Sequence, residues 1–157
     1  MDASYVNAFV QGAQRVFTTI CKETPALGKI YVKTNPYTSA PVSVSISIIG
    51  AFEGEIVYNM TEAAGCFVAS QLMMGMPVHS LHDDMPKSAI SELANIISGN
   101  IATIFSGKEI VIDIKPPKLR FNAVAEDFPF AEKVSKIVCV PLIFSNGNIF
   151  EVHMMVP

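Results

Sequence analysis

The chain predicts an α+β fold, an antiparallel β-sheet with long helices packed on one face. Helix-forming and strand-forming stretches come in blocks (helix, strands, helix, long helix, strands) and not in the alternation that a parallel doubly wound sheet requires. Val42, Val44, Ile46 and Ile48 alternate with Ser43, Ser45 and Ser47, the period of a strand with one buried and one polar face. Asn146-Gly147 stands between two apolar runs near the end of the chain, a strong hairpin signal.

From Ala3 to Cys21 the apolar residues Val6, Phe9, Val10, Ala13, Val16, Phe17 and Ile20 recur at three- and four-residue spacing, which makes an amphipathic helix ending before Pro25. Residues 29–33, KIYVK, form a short strand candidate, followed by a loop rich in Asn, Pro, Thr and Ser. The serine-alternating strand over 41–50 turns at FEGE into EIVYNM, the returning arm of a hairpin. Thr61 is placed to cap a helix with Glu62 in its first turn, running through Met73 and stopped by Gly75 and Pro77. After the loop MPVHSLHDD, Asp83 or Asp84 caps a long helix that takes Pro86 in its first turn and closes at Gly107. Residues 109–115, EIVIDIK, read as a strand cut off by Pro116 and Pro117, which have no amide donors. Residues 118–132 are mixed, mostly loop with room for a short strand, and 134–156 form the hairpin around SNGN. The first half (helix, loop, hairpin) and the last (long helix, loop, hairpin) share an order of elements, which hints at an internal duplication.

At 157 residues the chain suits a single domain over 1–157, large enough for a core without disulfides or metals. Hydrophobic residues make up 50% and charged ones 16%, with a mean hydropathy of +0.40, so apolar surface is left for pairing and a homo-oligomer is expected. A net charge of −3 without a Lys/Arg run argues against nucleic acid as a partner. Cys21, Cys66 and Cys139 are odd in number, far apart and set in apolar segments, so they read as buried free thiols in a reducing compartment. No secretory leader or membrane span is visible, which makes the expected location cytoplasmic.

Chemistry is concentrated on the long helix SAISELANIISGNIATIF. Ser88, Glu92, Asn95 and Gly99 fall on one narrow stripe, while Leu93, Ile97, Ile101 and Ile104 centre on the opposite side. A carboxylate and a carboxamide one turn apart are thus presented outward, with Ser88 and Gly99 small enough to let a partner approach. Taken alone, such a pair reads as ordinary solvated surface. Asn100 lies toward the apolar flank as a packing or backbone-bonding residue. His79 and His82 beside Asp83 and Asp84 match no established zinc spacing and read as surface histidines at a helix entry. His153 reads as a sheet-face residue, and Met73, Met74 and Met76 as a flexible helix end packing into core or interface. No Gly-rich phosphate loop, nucleophile elbow or H-E-x-x-H helix is present.

With Ser88, Glu92, Asn95, the phrase ELANIISGN and Pro117 in view, the chain resembles the CheC/CheX family of chemotaxis phosphatases, the CheX type most closely. That family's motif is a Ser or Asp and then Glu-x-x-Asn on a long helix, with a Pro further along, and the resemblance extends over nearly the whole chain. The first helix carries Ala13, Gln14 and Val16 but no Glu-x-x-Asn, so one site per chain is implied, as in CheX-type members, which are similar in pairing as homodimers. The resemblance implies a substrate, the aspartyl phosphate of a CheY-like receiver domain, that brings its own Mg²⁺ and lysine. It implies that Asn95 orients the attacking water and Glu92 pairs with the receiver's lysine, with Ser88 and Gly99 at the partner contact and Pro117 shaping the rim. No metal or cofactor of the chain's own is implied. A non-catalytic receiver-binding or scaffolding module of a two-component system is the alternative reading of the same stripe.

Overall fold

The computed structural model describes residues 3–156. Helix α1 (Ala3–Cys21) comes first, followed by two short strands, β1 (Ala26–Leu27) and β2 (Tyr31–Lys33), and the hairpin β3 (Val42–Gly50) and β4 (Gly54–Met60). Next come α2 (Glu62–Leu72) and the long α3 (Asp84–Ser106). Two more short strands, β5 (Ile112–Ile114) and β6 (Lys118–Phe121), lead through a pair of 3₁₀ turns to the closing hairpin β7 (Ile137–Ile143) and β8 (Ile149–Met155). The expected α+β class holds: these strands make one antiparallel sheet, and the helices lie on one face of it.

The two hairpins sit side by side in the middle, with β4 against β8. Outside them the short strands are exchanged: β1 and β2 pair with β7, while β5 and β6 pair with β3. Read across the sheet, the order β1-β7-β8-β4-β3-β5 is therefore a palindrome of two like halves, the arrangement that the repeated order of elements suggested. Only the first half carries α2. Pro141 lies within β7 without breaking it because its carbonyl faces the edge, accepting from Gly28 N at 2.9 Å. In an antiparallel strand the N–H and C=O of one residue point the same way, so the donor Pro141 lacks is not one that β8 needs.

The main core lies between the helices and the sheet. Phe9, Val16 and Phe17 of α1, with Leu93, Ile97, Ile101 and Phe105 of α3, meet Val44, Ile46, Ile56, Phe150 and Val152 of the central strands. Phe17 packs edge-on to both Phe144 and Phe150, at 5.1 and 4.9 Å between ring centroids.

The other face of the sheet departs from expectation. The period of β3 puts Ser43 and Ser45 on a polar face, yet only 1% and 3% of their surface is exposed. Tyr37 from the loop before β3 and Phe128 and Ala131 from the 3₁₀ turns fold over Val57, Ile137, Cys139 and Met155 as a second, smaller core. The Ser43 hydroxyl is buried there without a hydrogen-bond partner, but other polar groups of this face are bonded to one another: Arg120 Nη1 donates to Ser45 Oγ at 3.0 Å. His153 Nε2 donates to Glu151 at 2.7 Å, and Nδ1 accepts from Tyr37 Oη at 2.6 Å, with the Asn59 amide 3.1 Å away. Tyr31 Oη also donates to Glu151. Burial holds the His153 imidazole below its ordinary range despite the carboxylate beside it, and the His153 hydrogen bond holds Glu151 low. His153 is thus a strand residue, as expected, but a fully buried one.

All three cysteines are free, but only Cys139 is buried; Cys21 and Cys66 are half-exposed, which corrects the expectation of three buried thiols. Burial pushes the Cys21 and Cys139 thiols up to about 11. The methionine run also opens outward: Met73 touches the core, but Met74 is 97% exposed.

Candidate functional site

Helix α3 is held from three sides, and this fixes which of its residues face out. Its entry is Asp83, with extended backbone and no side-chain bond to the helix, so the expected cap is positional only. Pro86 is buried in the first turn. Along its length, Ala89, Ile90, Leu93, Ala94, Ile97, Ile101 and Phe105 are buried, and Ser98 among them bonds Tyr58 Oη of β4 at 2.8 Å. Against α1, a Cβ on Gly12 would lie 2.6 Å from Ile101 Cγ1, so the two helices touch backbone to backbone there. At the far end Gly107 closes the helix in right-handed conformation, and the left-handed turn falls two residues later at Glu109 (φ 62).

What remains outward is the stripe. Ser88 and Glu92 are exposed, and Asn95 and Gly99 are half-buried. Ser88, Ser91, Glu92 and Asn95 form one wall of an open cleft of about 510 Å³; Ile114, Lys115, Pro116 and Pro117 form the other. The second wall is rigid. Lys115 N donates to Ser47 O at 3.0 Å, continuing the β5–β3 ladder by one bond, and the two prolines then fix φ. Pro117 stands on this wall, across the cleft from Glu92 and Asn95.

Gly99 shares the stripe but does not line the cleft, and a Cβ there would meet nothing within 4 Å. Ser91, Lys115 and Pro116 also line the cleft, and the sequence alone does not mark them as site residues. A run of Lys-Pro-Pro ending a strand marks a rigid strand exit, but only the packing of β5 beside α3 makes it a wall of this cleft. Asn100 turns back on its own helix, donating to Ile96 O at 3.0 Å, and plays no part in the cleft.

Chemically the decisive point is what Glu92 and Asn95 lack. Among the described residues neither the carboxylate nor the carboxamide has a hydrogen-bond or ion-pair partner, so both are free to engage something outside the fold. A carboxamide can accept from water and donate to an anionic oxygen at the same time, independent of pH. A lone carboxylate facing a lysine is a poor resident site for Mg²⁺, which takes carboxylates together with water and phosphate oxygens. Among the described residues no three His, Cys, Asp or Glu side chains converge. His82 is stacked on Phe121 with 4.1 Å between ring centroids.

Other depressions mark both faces of the fold. A groove of about 410 Å³ along Leu72, Met73, Met85 and Ala89 shares Ser88 and Glu92 with the cleft. On the opposite face, a hollow of about 320 Å³ is lined by Tyr31, Lys33, Asn59, Glu151 and His153, whose polar atoms are engaged with one another or with backbone. No helix among the described residues is long and apolar enough to cross a membrane.

Comparison with known proteins agrees with this architecture. The family model described as chemotaxis phosphatase CheX matches residues 42–127, which include the whole of α3 and both walls of the cleft. The CheY-P phosphatase CheX of Thermotoga maritima is 29% identical over 117 residues, spanning 74% of this chain and 75% of that protein. Among solved structures, the CheX–CheY–BeF₃–Mg²⁺ complex from Borrelia burgdorferi matches with a TM-score of 0.76 and 28% identity, covering 97% of each chain. The chemotaxis protein CheX of Desulfovibrio desulfuricans has the same fold, with a TM-score of 0.80 at 21% identity, over 98% of this chain and 99% of that one.

Proposed function

The chain belongs to the chemotaxis phosphatase CheX family, and on that premise we propose that it hydrolyses the aspartyl phosphate of a CheY-like receiver domain. Water attacks phosphorus in line, the bond from phosphorus to the aspartyl carboxyl oxygen breaks, and the products are the free aspartate carboxylate and inorganic phosphate, which keeps the oxygen and protons of the water. An acyl phosphate has a good leaving group, so the reaction needs a positioned water and balanced charge more than it needs a strong base. The observation that carries this reading is the unpartnered Glu92–Asn95 pair on the wall of an open cleft.

Asn95 orients the water: its carbonyl oxygen accepts from the nucleophile while its amide nitrogen reaches a phosphoryl oxygen. Glu92, one turn earlier, pairs with the receiver's active-site lysine and so sets the register in which Asn95 arrives. Ser88 gives room at one end of the contact and Gly99 at the other, and Pro117 stiffens the facing rim. Mg²⁺ belongs to the receiver, where it neutralises phosphoryl charge; the relative's complex with CheY contains the ion. The whole of 1–157 works as one domain, in the cytoplasm. It pairs as a homodimer, a reading supported by the exposed apolar edge at Leu27 (49%) and Val32 (50%) in β1 and β2.

The test follows phosphate loss from a phosphorylated CheY-type receiver with wild type, Asn95→Ala and Glu92→Ala. Losing one water-positioning group is expected to cut kcat about 10²-fold or more with little change in affinity for Asn95→Ala. Glu92→Ala is expected to lose affinity and rate together. Wild type that binds the phosphorylated receiver without accelerating its decay would make the protein a binding module instead.

A further inference from the structure

The cleft contains a charge that the proposed mechanism leaves unused. Lys115 is the one cation among its lining residues, and among the described residues its ammonium has no ion-pair or hydrogen-bond partner. Glu92 lines the same cleft, yet the two do not meet: one wall carries a free negative charge and the other a free positive one. An exposed lysine at a sheet edge can serve simply to blunt the edge against strand pairing. That role needs neither a fixed backbone nor a place in a cleft, and Lys115 has both, through its N–H to Ser47 O at 3.0 Å and the prolines that follow.

The phosphorylated substrate is anionic where it enters, and the Glu92 carboxylate alone would repel it. Resting on the phosphatase reading, we infer that Lys115 is a specificity-determining residue: its ammonium recognises anionic charge at the partner's phosphorylation site and offsets Glu92. The ligand chemistry is a cluster of anionic oxygens, supplied by the phosphoryl group or by the carboxylates around it. With Glu92 directed to a cation and Lys115 to an anion, the cleft accepts a partner carrying both signs in one orientation. The four-carbon arm on a rigid base lets the ammonium follow its target without moving the wall.

Affinity and phosphate release are measured for wild type, Lys115→Gln and Lys115→Arg, using a CheY-type receiver in unmodified, Mg²⁺–beryllofluoride and phosphorylated forms at low and high salt. Lys115→Gln is expected to raise Kd and KM about tenfold at low salt, with kcat within about twofold of wild type. The gap should close at high salt, and Lys115→Arg should retain most of the affinity. A loss shared by the beryllofluoride and phosphorylated forms but absent from the unmodified receiver identifies the phosphoryl group as the target; an equal loss with the unmodified receiver identifies the carboxylates. Lys115→Gln binding as wild type does, with the same salt dependence, overturns the inference and leaves the phosphatase reading standing. Wild type that binds but does not hydrolyse sinks the catalytic reading, and the binding arm still decides Lys115. Wild type that binds none of the three forms overturns both.

Discussion

The contact between α1 and the site helix can be tested with one substitution made at two places. Gly12 lies inside α1 and Gly99 inside α3, so Gly→Ala gains about 0.5–1 kcal/mol of helix propensity at each. The surroundings differ. At Gly99 the new methyl meets nothing within 4 Å, whereas at Gly12 it meets Ile101 Cγ1 at 2.6 Å, with Ile101 N at 3.2 Å and Cα at 3.4 Å behind it. Ile101 is fully buried and β-branched, so its side chain has no spare rotamer, and the backbone atoms of a long helix cannot retreat singly. Overpacking of this kind costs about 1–3 kcal/mol. Against the propensity gain, Gly12→Ala should destabilise by about 1 kcal/mol while Gly99→Ala stabilises by slightly less, a split of about 2 kcal/mol. Urea unfolding at one fixed protein concentration reads the split directly as displaced midpoints at unchanged slope. Two variants that move together, in either direction, would refute the close approach of α1 to α3.

The remaining predictions concern the network behind the site and the covered face of the sheet. Tyr58→Phe removes the 2.8 Å bond to Ser98 and should cost about 1 kcal/mol; paired with Ser98→Ala, a double-mutant cycle should show coupling of similar size, and additivity would deny the bond a role. Acid should weaken the fold through His153, whose folded pKa lies below its ordinary 6.5: the unfolded chain takes up the proton first, so stability is full above that value and falls as pH drops below it. Glu151, held low, loses its contribution in the same direction below 4.5. Glu55, raised by burial, works the other way, so the wild type is compared with His153→Gln. Urea midpoints from neutral to mildly acidic pH should fall less steeply for the variant; a steeper fall contradicts the assignment.

Elements with a strong period were legible from residues alone. The α1 spacing, the serine-alternating strand, the Asn-Gly hairpin and the outward stripe of α3 each express one local rule repeated several times. The cover over Ser43 and Ser45 was not legible, because Tyr37 and Phe128 reach it from Pro-containing loops that no period marks. One wall of the cleft could be written down from helix geometry, and Glu92, Asn95 and Ser88 stand there. The other wall depends on β5 lying beside α3, a tertiary fact that no local period marks, which is why Lys115 and Pro116 are not legible as site residues and Pro117 enters only through family likeness. Gly99 illustrates the converse: angle around a helix is readable in one dimension, but how far a cleft runs along the axis is not.

The crossed placement of the four short strands has a topological cost. Neither half owns a finished sheet, since the strands that border each hairpin come from the opposite end of the polypeptide. Dividing the chain at the α2–α3 connector should therefore yield two fragments that stay unstructured apart and regain the sheet only when mixed. Assembly must wait for ends distant in sequence to find each other, so the free energy arrives late and all together, and the helix that presents Asn95 stands firm only once the entire molecule has closed.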